Sequence, residues 1–280
     1  MLGVATVSGN QTLEKTTANA IRVLEHIGRH EIPVAAGAPR PLVRKRHLAA
    51  YVHGESGLDG PDLPPASRGS EPSHAIDWIA NTLVASEDPV TLVATAPLTN
   101  VALFVARYPE LVTRLERIVV MGGAIGEGNE TPAAEFNVWS DPEAACRVFA
   151  SGVDLSMVGL DVTHRALMKP VHAERLAGAG NAGKLVADLY RFFAQFHRRQ
   201  YGWDGAPVHD AVAIAHVIDD TLLSTKHCGV VVDTGSEPSR GRTHVDLWGR
   251  TAWERNCHVA VDIDSERFLE LLVRRISALG

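Results

Sequence analysis

Residues 121–145 read MGGAIGEGNETPAAEFNVWSDPEAA. Gly122 and Gly123 permit a tight backbone turn, and Asn129, Glu135 and Asn137 then place two amides and a carboxylate within nine residues. A sugar with vicinal hydroxyls calls for this mixture, because each hydroxyl both donates and accepts. Phe136 lies among them and can supply an apolar wall. Taken singly, each has a plainer reading: Asn129 a turn residue, Glu135 a surface carboxylate, Asn137 a loop hydrogen bond. Their closeness favours a sugar site.

A second stretch, YGWDGAPVHDAVAIAHVIDD at 201–220, puts His209 and Asp210 at the opening of an apolar helix. An Asp there is most often a helix cap. A His is less expected, since a cation is disfavoured at a helix N-terminus. Side by side, the two suit proton donation to a leaving group and the binding of a hard metal ion. A third stretch, YVHGESGLDG at 51–60, sets His53 at the mouth of a Gly- and Pro-rich segment that runs to Pro72. His53 reads either as a surface residue or as one held over a ligand, for long connections without periodicity usually serve a site or are disordered.

Apolar periodicity supplies the elements that must bring these groups together. Residues 2–7 read as a buried strand, and Asn10 is placed to cap a helix whose apolar side is Leu13, Thr17, Ala20, Leu24 and Ile27. Gly28 ends that helix. Further strands are expected at 32–36, 89–94, 117–121 and 153–160, and helices at 75–86, 101–108 and 142–150. This alternation predicts an α/β fold: an open, mostly parallel, doubly wound sheet with helices on both faces. Ligands of such sheets sit at the carboxyl ends of the strands, where Asn10, Thr95, the segment after Met121, and Asp161 fall. Beyond 160 the chain is mostly helical up to 220. There Leu185, Leu189, Phe192, Phe193 and Phe196 form one apolar stripe, expected to be core. Residues 228–232 and 244–247 read as a hairpin, 258–263 as a strand, and 265–279 as a helix capped by Ser265.

With 280 residues, 45% hydrophobic and 21% charged, and no linker, the composition is that of one soluble domain over 1–280. The net charge is −6 and the 27 Lys and Arg are scattered, which leaves no footprint for nucleic acid. The run RPLVRKR at 40–46 reads as a solvated face. Cys146, Cys228 and Cys257 are an odd set without metal-ligand spacing, as expected in a reducing cytoplasm. No apolar stretch reaches the roughly 18 residues of a membrane span, and Met1 opens no secretory leader.

In order along the chain, VSGN, HGESGLDGPDLP, TAPLTNVAL, VVMGGA, GN-x-TPAAEFN-x-x-x-DPEAA and G-x-PVHDA-x-A-x-A resemble the inosine-uridine-preferring nucleoside hydrolases over nearly the whole length. The resemblance implies hydrolysis of the N-glycosidic bond of ribonucleosides to free base and ribose, a tightly held Ca²⁺, and a homodimer or homotetramer. In that family the metal binds the ribose 2′- and 3′-hydroxyls and the attacking water, an Asp takes the water's proton, and the ribosyl group passes through an oxocarbenium-like state. Carried over to this sequence, Asn129, Glu135 and Asn137 would bind ribose, Met121 would line its pocket, and Asn10 would lie near the hydroxyls or the metal shell. Thr95, through its backbone carbonyl, and Asp210 would hold Ca²⁺. His209 would be the catalytic group that protonates the leaving base, with His53, Phe136, His197 and Tyr201 around that base. Tyr201 and the aromatic helix at Phe193 and Phe196 favour a pyrimidine-preferring or broad enzyme, since strictly purine-specific members stack the base between tryptophans.

The sequence departs from the family in one respect. Members carry D-x-D-x-x-x-D-D after a first strand, supplying the catalytic base and two calcium carboxylates, and no such cluster occurs here. Met1 stands at the family's second strand, so a strand and helix of about 30 residues are expected to be missing. Either a misassigned or truncated start hides a working hydrolase, or the chain is a nucleoside- or ribose-binding protein without catalysis. The intact downstream groups favour the first. For the 280-residue chain itself, the expectation is weak Ca²⁺ binding and negligible hydrolysis.

Overall fold

The computed structural model describes residues 1–235 and 237–279. The chain enters on β1 (Val4–Thr6), and α1 (Leu13–His26) leads back to β2 (Val34–Ala36). Thr12, not Asn10, caps α1: its hydroxyl accepts from the Lys15 amide. Thr12 stands immediately before the first helical residue in extended backbone, the geometry a cap requires, and Asn10 lies too early in the chain to reach. Ile21 and Leu24 on the inner side of α1 pack with Ile32 and Val34.

Short α2 (Ala50–His53) precedes the long segment, whose Glu71 makes an isolated parallel bridge to Ala35 of β2 before α3 (Ala75–Ala85). Strand and helix then alternate through β3 (Val90–Ala94), α4 (Thr99–Arg107), β4 (Leu115–Met121), α5 (Phe136–Ser140), α6 (Pro142–Phe149), β5 (Leu155–Val158) and α7 (Leu160–Thr163). A short antiparallel pair, β6 (Leu167–Met168) with β7 (Ala206–Pro207), brackets α8 (Pro170–Ala177) and α9 (Gly180–Tyr201). The chain finishes with α10 (His209–Ile218), β8 (Leu223–Val232), β9 (Thr243–Asp246), β10 (Cys257–Ile263) and α11 (Ser265–Ser277). Asp264, rather than Ser265, caps α11 by accepting from the Arg267 amide.

Six strands form one sheet in the order β3, β4, β5, β10, β8, β9. The joins from β3 to β10 are parallel, and β8 is antiparallel to both its neighbours. The expected hairpin of β8 and β9 is therefore present, with β10 between it and the parallel half. Successive residues of β4 divide between two cores: Ile118 and Val120 join the helices α3, α4 and α6, while Val119 and Met121 join α7 to α11. A strand covered on both faces has no polar side, so it reads in sequence as an unbroken apolar run. Phe104 in the first core and Phe268 in the second are closed off from solvent, and each such side chain contributes about 1.5–3 kcal/mol.

The strand order is interrupted at one place. β1 and β2 form a separate parallel pair; among the described residues β1 pairs with β2 alone and β3 with β4 alone. Asn100 of α4 ties this pair to the larger body, its amide donating to the Thr6 carbonyl and accepting from the Ala38 amide, both at 2.8 Å. No helix among the described residues is long and apolar enough to cross a membrane.

Candidate active site

The carboxyl ends of β1, β3 and β4 open onto a cavity of about 420 Å³. Every residue expected to bind ribose, base or metal lines it: Asn10, Thr95 and Met121 at the strand ends, Asn129, Glu135, Phe136 and Asn137 around α5, His53 on α2, His197 and Tyr201 on α9, and His209 and Asp210 on α10. Asp161 does not join them. Its carboxylate accepts from the Ile125 and Gly126 amides at 2.6 and 3.0 Å, tying the glycine-rich segment to α7.

Glu135 is no surface residue; it is 2% exposed and caps α5. Its Oε1 accepts from the Asn137 amide at 2.8 Å, and its Oε2 from the Gly123 and Val138 amides at 3.0 and 3.1 Å. Gly123 reaches this position with a φ of 75°, in the left-handed region open to glycine. Burial pushes the carboxyl up to about 7, partly offset by the three amides and reinforced by Glu130. Asn129 Oδ1 accepts from the Phe136 amide at 2.9 Å, and Asn137 Nδ2 donates to the Met121 carbonyl at 3.0 Å. Each amide is fixed by one end, which leaves Asn129 Nδ2 as a donor and Asn137 Oδ1 as an acceptor without a protein partner among the described residues. A donor and an acceptor beside a carboxylate match the dual character of a sugar diol.

At the start of α10, Val208 offers no side-chain cap and Asp210 makes no cap bond. Solvent reaches the Asp210 side chain inside the cavity, while protein encloses it on its other sides. That deep setting, with the charge of Glu135 added, pushes its carboxyl up to about 7. Burial holds the His209 imidazole well below its usual range, and His164, His197 and His53 each oppose a further positive charge there. His209 Nδ1 lies 2.8 Å from Thr163 Oγ1. Burial also lowers His53 to about 4, and its ring stacks on Phe193 at 5.5 Å.

The stripe on α9 departs from expectation. Leu185 is core, but Leu189, Phe192, Phe193 and Phe196 line the cavity. Periodicity reports an apolar face without saying whether protein or ligand covers it. His164 and the rim pair Tyr51 and Glu130 were not legible as site residues. Tyr51 donates its hydroxyl to Glu130 Oε2 at 2.6 Å, joining α2 to the loop before α5, and His164 directly follows α7 with its ring 5.5 Å from that of His209. The one available signal was the nearness of His164 to Asp161, at the end of an apolar strand.

A cation such as calcium takes about six to eight oxygen ligands. Of the residues expected to hold it, Asp210, Thr95 and Asn10 line the cavity and would bring a carboxylate, a backbone carbonyl and an amide oxygen. Among the described residues no group of three or more His, Cys, Asp or Glu could hold a metal ion. The donors are of the right kind and too few, so the residues present do not by themselves fit a calcium site.

Residues 1–270 match the family model described as inosine-uridine preferring nucleoside hydrolase. The pyrimidine-specific ribonucleoside hydrolase RihA of Citrobacter koseri is 46% identical over 276 residues, 98% of this chain and 88% of that one. The protein of that name from Escherichia coli O81 is 45% identical over 275 residues, again 98% and 88%. Among solved structures, a purine-preferring ribonucleoside hydrolase from Gardnerella vaginalis matches with a TM-score of 0.93 at 30% identity, over 100% of this chain and 90% of its own. A plant nucleoside hydrolase matches with a TM-score of 0.92 at 31% identity, over 99% and 91%. With its sequence and its fold matched along almost all of its length, this chain belongs to the inosine-uridine preferring nucleoside hydrolase family.

Proposed function

We propose that the protein hydrolyses the N-glycosidic bond of ribonucleosides, pyrimidine ribosides first, releasing free base and ribose. The observation that carries this reading is the division of the cavity: hydrogen-bonding groups of both polarities at Asn129, Glu135 and Asn137, and a wall of neutral imidazoles and aromatic rings from α2, α9 and α10. Asn129 and Asn137 hold the ribose hydroxyls in register, and Glu135 accepts from one of them. As the glycosidic bond lengthens, charge builds on the base, and an N–H of His209 donates to it, stabilising the departing ring. The apolar stripe of α9 keeps bulk water from that end.

The pyrimidine preference is supported by the names of relatives 45–46% identical in sequence and by the rings of Phe193, Phe196 and Tyr201 in the wall. Calcium is the cofactor we propose for the family chemistry, since the available donors are all oxygens; no step above depends on it. A cytoplasmic, homodimeric or homotetrameric enzyme, with a small nucleoside as its partner and no nucleic acid or membrane, completes the proposal. The three free cysteines accord with a reducing compartment.

Incubating the purified chain with uridine, cytidine or inosine in calcium buffer, and separating the free bases by chromatography, tests the reading. Uracil and cytosine should appear at least about tenfold faster than hypoxanthine, and His209→Ala should slow both. Because the chain lacks the acidic cluster, release is expected to be slow and is read over long incubation in millimolar calcium; hypoxanthine released first would overturn the preference, and no free base from any of the three even then would overturn the activity.

A further inference from the structure

Thr163 ends α7 and is fully closed off from solvent. Among the described residues, the one hydrogen-bond partner of its hydroxyl is His209 Nδ1, at 2.8 Å. A neutral imidazole carries one N–H, and the contact can be made in two ways. If Nδ1 bears the hydrogen, it donates to Thr163 Oγ1, and the buried hydroxyl hydrogen has no acceptor. If Nε2 bears it, the hydroxyl donates to the Nδ1 lone pair and every hydrogen is used. A buried donor without a partner is costly, and an oxygen with a spare lone pair much less so. We propose that Thr163 is a positioning residue that holds His209 in the tautomer with its hydrogen on Nε2, so that the N–H faces the cavity and the leaving base.

The surroundings favour this arrangement. The ring of His164 lies 5.5 Å from that of His209, and a neutral imidazole at this position carries its one hydrogen on one nitrogen or the other. Which ring nitrogen carries the hydrogen is set by the partner of the other; a carbonyl or carboxylate on Nδ1 would draw the hydrogen there, whereas a hydroxyl can donate to Nδ1 and leave it on Nε2. The inference rests on the reading that His209 serves the leaving base, but the tautomer itself can be observed without turnover.

Long-range ¹H–¹⁵N correlation spectra of the ¹⁵N-labelled full chain test it. In the wild type His209 should show a hydrogen-free Nδ1 and a hydrogen-bearing Nε2; Thr163→Val should give a mixed or reversed pattern, and Thr163→Ser should restore the first. A hydrogen on Nδ1 in the wild type, or an unchanged pattern in the valine variant, overturns the proposal. Kinetics adds a second readout: for Thr163→Val the kcat on uridine should fall about tenfold more than that on 4-nitrophenyl β-ribofuranoside, whose phenolate leaves with little help from an acid. An equal fall on both substrates would mean a structural role only. Failure of the hydrolase reading would appear separately, as no base release from the wild type, with the spectra still deciding the tautomer.

Discussion

Asp210 and Glu135 share a cavity in which the charges they feel are of their own sign: Glu130 acts on Glu135, and Glu135 on Asp210. Both carboxyls stand near 7 in the folded chain, and both return to ordinary values when it unfolds. The unfolded state therefore gives up these protons first as pH rises. From about pH 4 to 7 the folded state holds more protons, and the metal-free protein loses stability across that window, levelling off above it. Asp210→Asn removes one of the two groups. The variant should be more stable than wild type at pH 8 by about 1 kcal/mol, a figure discounted because solvent reaches the carboxylate, and should match it at pH 4. Urea unfolding at the two pH values measures this; a variant less stable than wild type at pH 8 would show that a cation already pairs with Asp210. The gain in stability should come with loss of metal and nucleoside binding, as expected where a site holds charge its fold does not favour.

At the scale of elements, much was legible. The period-two division of β4 and the helices around it follow from apolar runs and amphipathic spacing, and the strand ends located the cavity. Capping was less legible, because Thr12 and Asn10, or Asp264 and Ser265, are all good cap residues and only the backbone decides between them. Helix α5 was hidden in a stretch rich in turn formers, where Glu135 starts the helix by taking its first amides. The wall on α9 looked like core for the reason already given: an apolar face has the same pattern whatever covers it. The interruption between β1 and β3 depends on which edges meet, and periodicity says nothing of that. It also makes Asn100 important. Asn100→Leu keeps the volume but leaves the buried Ala38 amide without a partner and takes from the Thr6 carbonyl one of its two donors, the Gly37 amide remaining, at a cost of about 1–3 kcal/mol. Hydrogen exchange should locate the effect, with faster exchange in β1 and β2 and little change in β4 and β5. A uniform change over all four strands would mean that the small pair is not a separate unit.

For the molecule as a whole, a net charge of −6 draws cations weakly from a distance, so calcium affinity depends on the donors inside the cavity. Asp210, Thr95 and Asn10 supply at most four oxygens if the carboxylate binds through both of its own, short of the six to eight that calcium takes. A ribose with two free hydroxyls can raise that count to six. Calcium and ribose should then strengthen each other, and by reciprocity the factor by which ribose tightens calcium must equal the factor by which calcium tightens ribose. The 280-residue chain alone should bind calcium no tighter than about 1 mM, at the weak end of the range for oxygen sites with few carboxylates, and turnover of uridine should be correspondingly slow. Calorimetric titration with calcium, repeated in saturating ribose, measures both. A submicromolar site in the absence of sugar would mean that this cavity completes its calcium shell from residues other than these three, and that the acidic cluster absent from the sequence is not needed.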